Sequence, residues 1–394
     1  GKSQLDSKSG YRTARYRLPD GGERETAYFG LALAEYLQAQ RVILLGTASS
    51  MWDLLVENVV GDAAQEELRV ELMEAVRHEA VSETLLAQLT PALERTVGRP
   101  VQALVIPHAV AFSDQQELLA RLADLVGRGE SVALDLTHGY RHLAMLGLAA
   151  ARYLAHERQV VITGLYYGAL DMTREGITPV ITLEGLAHIL EWSEAFAAYE
   201  SSGDFSRFAP LLERDGFPAE AAQSLRRGWD FLVLSNVQDA ARQLRSALPA
   251  LERPLKGASE LYRARLRKAL RWAEPETLHE KQRLLALQAL ERGDILRATV
   301  FGLESFISRE VAIRGGDVLN YKEREKVEDA YQEMLRQGEQ PDWKRAAYWL
   351  LKNVRNACTH GTPPTYPPHA ELVKNPERLR RELRATLDRL ISTA

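Results

Sequence analysis

The 394-residue sequence has one cysteine, Cys358, which excludes an internal disulfide framework and a cysteine-based metal site. Such usage suits a reducing, cytoplasmic setting. The chain has no run of about 18 apolar residues and its stretch Gly1 to Gly10 is polar, so neither a membrane span nor a signal peptide is expected. It lacks G-x-G-x-x-G and has no lysine after a Gly-rich turn, which argues against a classical NAD or ATP enzyme. No set of His, Cys, Asp and Glu has metal-ligand spacing, so no metal and no cofactor are expected. Internal repeats and low-complexity segments are also missing.

What is present is a globular composition, 45% hydrophobic and 26% charged, at a length that suggests two domains. The net charge of −4 gives no general sign of nucleic-acid binding, but charge is unevenly spread. Residues 343 to 394 carry ten Lys and Arg against four acids, a balance of +6. Residues 241 to 271 hold nine basic side chains against Glu252 and Glu260, or +7. The second stretch is most simply a solvated face. The first surrounds a more specific pattern, and phosphate attraction is the better reading there.

The N-terminal half alternates strands with helices. Tyr11 to Leu18 reads as a strand, Pro19 to Gly22 as a turn, and Glu25 to Ala39 as an amphipathic helix. Arg41 to Leu45 is a buried strand ending in the hydroxyl-rich loop Gly46 to Ser50. Residues 62 to 97 read as a charged helical insertion. Val101 to Ile106 and Ser131 to Leu136 are further strands, the latter running into Thr137, His138, Gly139, Tyr140, Arg141 and a long helix. Val160 to Tyr167 and Ile177 to Leu183 read as closing strands and a candidate hairpin. This alternation predicts a parallel, doubly wound α/β sheet with ligands beyond the carboxyl ends of its strands, where both polar loops fall. Thr47, Ser49, Ser50, Thr137, His138, Gly139 and Arg141 are therefore the candidate ligand contacts. The plainer alternative has Thr137 and His138 capping the helix. Asp135 is expected to hold a hydroxyl or the Arg141 guanidinium, and His142 and His156 to be helix-face residues.

From Glu184 onward only helices are predicted, over 219–248, 257–272, 276–291 and 294–313, with Trp229, Trp272 and Phe301 in the core. The domains are thus placed at 1–183 and 184–394. Near the C-terminus, Trp343 to Val354 has apolar residues at helical spacing and leads into Arg355, Asn356, Ala357, Cys358, Thr359, His360, Gly361. A guanidinium that can hold a phosphate and an imidazole that can move a proton share one helix end. Five residues place Arg355 and His360 roughly 140° apart, so acting together would take a distorted turn or two copies of the motif across a symmetric interface. Asn356 and His360 share a face, so the amide is expected to orient the ring. The competing reading has Arg355 in a salt bridge and His360 at a helix C-terminus, where cations are favoured. Glu304 lies on a neighbouring apolar helix and is not assigned.

R-N-x-x-x-H at the end of a late helix resembles the HEPN ribonucleases. The loop ending L-L-G-T-A-S-S-M-W and above all L-D-L-T-H-G-Y-R-H-L resemble the CARF sensor domain, so the whole chain is similar to the CARF–HEPN ribonucleases of type III CRISPR systems. That resemblance implies a Rossmann-like CARF domain followed by an all-α HEPN domain. It also implies a homodimer that binds cyclic oligoadenylate, with cyclic tetra-adenylate favoured over hexa-adenylate, and then cuts single-stranded RNA without metal to leave a 2′,3′-cyclic phosphate. Arg355, Asn356 and His360 would be its catalytic residues. The family opens with an apolar strand before its first polar loop, whereas Gly1, Lys2, Ser3 and Gln4 read as that loop itself. The alternatives are a non-enzymatic oligoadenylate sensor that dimerises or binds RNA, ring-nuclease activity in the sensor loops, and an unrelated α/β enzyme acting on a small nucleotide.

Overall fold

The computed structural model describes residues 5–6, 10–11, 13–61, 66–338 and 342–390. The expected opening loop at residues 1–4 lies outside them, as does residue 12 of the first predicted strand. The chain divides into two compact units, Gly1–Ala187 and His188–Ala394.

In the first unit, β1 (Leu5–Asp6) and β2 (Gly10–Tyr11) form a short antiparallel ladder. Strand β3 (Ala14–Arg17) turns back into β4 (Glu23–Thr26), with Gly21 at φ +87° in the turn. The helix predicted from Glu25 therefore begins later, as α1 (Phe29–Tyr36), because Glu25 and Thr26 are paired with Arg15 and Ala14. There follow β5 (Val42–Gly46), α2 (Trp52–Val59), α3 (Glu66–Arg77), α4 (Glu83–Val97) and β6 (Val101–Val105). The unit continues through α5 (Phe112–Leu125), β7 (Ser131–Asp135), α6 (Arg141–Glu157), β8 (Val161–Gly168), β9 (Ile177–Thr182) and the start of α7 (Glu184–Ser202).

The sheet is mixed rather than purely parallel. Its five strands run in the order β4-β3-β9-β8-β7, with β3/β4 and β8/β9 antiparallel and β3/β9 and β7/β8 parallel. Strands β5 and β6 form a separate parallel pair. Short connections explain the correction: a parallel crossover needs a dozen or more residues, and the links between β3 and β4 and between β8 and β9 are shorter than that. The expected hairpin of the last two strands is present. The β5/β6 pair is tied to the β7/β8 pair at both ends by side chains: Arg41 Nη2 lies 2.6 Å from Glu130 Oε2, and His142 Nε2 lies 2.8 Å from the carbonyl oxygen of His108.

The charged helices of the 62–97 segment carry an apolar stripe. Leu72, Leu86, Leu89 and Leu93 are buried with Trp52 and Val56, and Val42, Leu44 and Val105 of β5 and β6 pack against that cluster. Burying each such leucine contributes about 1.5–3 kcal/mol, so the segment is part of the core of this unit.

The second unit is helical: the rest of α7, α8 (Phe208–Arg214), α9 (Ala219–Val233), α10 (Val237–Glu252), α11 (Gly257–Leu270), α12 (Leu278–Arg292), α13 (Ile295–Ile313), α14 (Tyr321–Arg336), α15 (Asp342–His360), α16 (Pro367–Val373) and α17 (Pro376–Arg389). The single stretch predicted over 219–248 is two helices, because Ser235 adopts φ +59° and Asn236 caps the second through its side chain. Trp272 is buried and Trp229 packs against the core, as expected. Helices α13 and α15 meet at Gly302, where an added Cβ would lie 2.7 Å from Leu387 and 3.1 Å from Leu351. Along α15, Ala347, Leu350, Leu351 and Val354 are buried. The apolar stripe ends at Val354, so the last turn leaves the core with its polar residues outward. Gly361, at φ +65°, closes the helix by donating to the Ala357 carbonyl at 2.9 Å.

Candidate functional site

At the carboxyl ends of β5, β6 and β7 three loops converge. In the first, Thr47 is buried; its N–H donates to Ser50 Oγ at 2.8 Å, and its hydroxyl lies 3.2 Å from both Ser49 Oγ and Ser50 Oγ. The Trp52 indole N–H donates to the Thr47 carbonyl at 3.0 Å. That packing needs Gly46, where a Cβ would sit 2.5 Å from the indole ring. Thr47 thus shapes the loop and leaves Ser49 at its rim.

In the loop after β7, Thr137 is buried too, and its hydroxyl accepts from the Gly168 N–H at 2.8 Å. Its own N–H donates to Asp135 Oδ1 at 2.9 Å. Asp135 therefore holds a backbone amide, and among the described residues it makes no ion pair with Arg141. Loss of hydration raises its carboxyl to about 6, against the hydrogen bonds with Thr137 that pull it down. His138 is lowered to about 4, chiefly by burial, so its ring is neutral near pH 7 and brings no positive charge to an anion. Neither Thr137 nor His138 caps α6, whose N-cap is Tyr140 with no side-chain cap hydrogen bond. Gly139 holds φ +116°, a conformation that favours glycine, and leaves the space above it open. Arg141 is exposed at the first position of α6 with no acid in that first turn, and has no ion-pair partner among the described residues. Uncapped N–H groups, a helix dipole and an unpaired guanidinium together favour a phosphate.

The residue joining these loops is His108, which the sequence reading left out. Its Nε2 lies 3.0 Å from Ser49 Oγ, its backbone carbonyl oxygen lies 2.8 Å from His142 Nε2, and its ring is 6.2 Å from that of Tyr140. Tyr140 in turn stacks on His142 at 5.7 Å. The available signal was position: Pro107 and His108 follow β6 after a single residue, at the same end as the two loops that were singled out.

The second candidate site lies on the last turns of α15. Arg355 is half-buried, its Nε is shielded from solvent with no hydrogen-bond partner, and no carboxylate pairs with it among the described residues. Among these residues the salt bridge of the plainer reading is not formed. The nearby acid Glu328 is already engaged by the Tyr348 hydroxyl at 3.0 Å and by Lys352 Nζ at 3.2 Å. Burial raises the Tyr348 hydroxyl well above its usual range and keeps it protonated as the donor. Glu304 is likewise paired, with Arg324. His360 is exposed at the helix end and Asn356 is half-exposed on the same side, with no hydrogen bond between them in this state. The helix directs Arg355 roughly 140° away from His360, so one copy of α15 does not bring the two groups to one point. Asn353, one turn before Asn356, meets a residue not anticipated: its Nδ2 lies 3.0 Å from His369 Nδ1 on α16. Among the described residues no group of three or more His, Cys, Asp or Glu is placed to hold a metal ion, and no helix is long and apolar enough to cross a membrane.

Comparison with known proteins bears on the first site. Residues 2–170 match the family model described as the CARF domain of the CRISPR system endoribonuclease Csx1. A CRISPR-associated protein of Methanocaldococcus jannaschii is 27% identical over 266 residues, which is 61% of this chain and 41% of that protein. The chain thus spans less than half the length of this curated relative. Its N-terminal α/β domain is similar to the CARF domains of CRISPR endoribonucleases, and a largely helical region follows it.

Proposed function

We propose that the protein is a cyclic-oligoadenylate-activated, metal-independent endoribonuclease of type III CRISPR defence that cuts single-stranded RNA in the cytoplasm. In this reading residues 1–183 are the CARF sensor and 184–394 a HEPN ribonuclease domain. The observation that carries it is Arg355: a half-buried guanidinium with no acid partner among the described residues, on the same final turns of α15 as His360, in a chain whose N-terminal domain matches a CARF family. Holding an unpaired cation partly out of water costs free energy, and an anion that docks there returns it.

RNA supplies its own nucleophile. The 2′-hydroxyl loses its proton and its oxygen bonds to phosphorus, while the bond from phosphorus to the 5′-oxygen breaks and that oxygen takes up a proton. Arg355 neutralises the charge gathering on the phosphoryl oxygens, His360 transfers the proton, and Asn356 orients the His360 ring. The products are a 2′,3′-cyclic phosphate and a 5′-hydroxyl. Because Arg355 and His360 diverge on one helix, the working centre is assembled from two copies of α15 in a homodimer, whose two imidazoles serve as base and acid.

On the sensor side, Arg141 and the start of α6 take a phosphate of the ring, with Ser49, Ser50, His138 and Gly139 around it and Thr47 and Thr137 fixing the loops. A ring with a twofold axis suits a twofold dimer, and cyclic tetra-adenylate is favoured over hexa-adenylate. Activation requires the ring to bind the active arrangement of the dimer more tightly than the resting one. The test is incubation with fluorescent single-stranded RNA in EDTA, with and without each ring: stimulated cleavage supports the reading, and silence with both rings removes it.

The divergence of Arg355 and His360 also favours a second reading, a sensor without catalysis whose C-terminal helices dimerise or bind RNA. His360→Ala separates the two: the enzyme loses cleavage and keeps ring binding, whereas the adaptor loses nothing.

A further inference from the structure

The contact between Asn353 and His369 has no part in the chemistry above, yet it lies on the catalytic face of α15. Asn356 and His360 follow Asn353 by three and seven residues, which places all three side chains within roughly 60° of one another around the helix. His369 is thereby tethered, through a 3.0 Å hydrogen bond, to the face that carries the proposed catalytic amide and imidazole. With the Asn353 amide nitrogen donating, Nδ1 of the ring is the acceptor and Nε2 carries the proton. Burial lowers the pKa of His369, which keeps the ring neutral in this tautomer. Among the described residues Nε2 has no protein partner and is not shut away from solvent. Tyr366 stands edge-to-face against this ring, centroids 4.9 Å apart, and is 53% exposed. Further along the chain, on the first turns of α17, which packs against α16, Arg378 and Arg381 are exposed three residues apart and have no ion-pair partner among the described residues.

A fixed ring with an outward N–H, an exposed aromatic face beside it and two unpaired cations along the same run of chain are the parts that hold a single-stranded nucleotide. We propose that Tyr366 and His369 form a nucleobase subsite flanking the scissile linkage, Tyr366 by stacking and His369 by donating Nε2–H to an acceptor on the base edge. Asn353 is its positioning residue, and Arg378 and Arg381 attract the adjoining phosphates. Stacking on Tyr366 accepts any base, whereas the single donor on His369 discriminates among base edges, so affinity and base preference reside in different residues. This assignment rests on the reading that the α15 face acts on RNA.

The test uses full-length protein and labelled single-stranded RNA in two arms. In the first, RNA binding is measured by fluorescence anisotropy in a His360→Ala background, so that no cleavage intervenes. Tyr366→Ala should weaken binding roughly 10-fold and Tyr366→Phe less than twofold, with cyclic tetra-adenylate binding unchanged in both. In the second, cleavage of the four homopolymers is compared: His369→Ala and Asn353→Ala should flatten the base preference, and Tyr366→Ala should raise KM more than it lowers kcat. RNA binding that depends on Tyr366 without any cleavage by the parent protein would support the subsite and remove the nuclease reading. Normal ring-stimulated cleavage, with unchanged RNA affinity in Tyr366→Ala and unchanged base preference in His369→Ala, would overturn the subsite alone.

Discussion

Ser49 Oγ and His108 Nε2 lie 3.0 Å apart across 59 residues of sequence, and this hydrogen bond joins the loops that follow two parallel strands. Replacing His108 with Ala removes both the bond and the ring beside Tyr140. Titration calorimetry with cyclic tetra-adenylate should show affinity falling roughly 3- to 10-fold, the size of one lost hydrogen bond. His156→Ala, on the last turn of α6, should bind like the parent. Equal affinity in both variants would remove His108 from the ligand site.

Asp135 makes stability depend on pH in a direction unusual for a carboxylate. Its pKa is about 6 in the folded chain against an ordinary value of 3.8, so between these values the native state binds the extra proton. Its contribution is most favourable below about pH 4 and is lost as pH rises through 6. Asp135→Asn keeps an acceptor for the Thr137 N–H and cannot ionise. Its Tm should therefore exceed that of the parent at pH 8, with the advantage shrinking toward pH 5. A constant difference across that range would show that Asp135 is not held protonated.

Arg355 separates stability from function. Since no carboxylate among the described residues pairs with it, Arg355→Met should leave Tm unchanged or slightly raised, whereas cleavage should fall by roughly 100-fold or more. A Tm drop equivalent to several kcal/mol would mean that the guanidinium is structural.

Gly302 tests the packing that carries α15. Gly302→Val inserts three carbons into the space between Leu387 and Leu351 and should destabilise the helical unit by about 2 kcal/mol or more, measured by urea denaturation. An unchanged midpoint would show that α13 and α15 are not in close contact there.

How much of this was legible depended on how local the cause was. Helix α15 was readable because Ala347, Leu350, Leu351 and Val354 repeat at helical spacing and Gly361 stops it, which also places Arg355 and His360 at its end. Strand β4 was not, because Glu23 to Thr26 is polar throughout and takes its form from pairing with β3. The mixed sheet was misread because strand direction is set by connection length and pairing, which alternating hydrophobicity does not encode. In the loops after β5 and β7, residue type pointed to Thr47 and Thr137, whose hydroxyls turn inward to hold the backbone, and missed His108, whose partners lie 59 and 34 residues away. His369 escaped for a similar reason, since only the fold of α16 against α15 brings it to Asn353.

In the proposed mechanism, ring binding at one domain drives an imidazole at the end of α15 to cut RNA. The most direct measurement follows cleavage of a single-stranded RNA in EDTA, with and without cyclic tetra-adenylate, for the parent protein and His360→Ala. Ring-stimulated cleavage ending in 2′,3′-cyclic phosphates is expected for the parent and its loss in His360→Ala, with ring affinity equal in the two. Stimulated cleavage that survives in His360→Ala would contradict it.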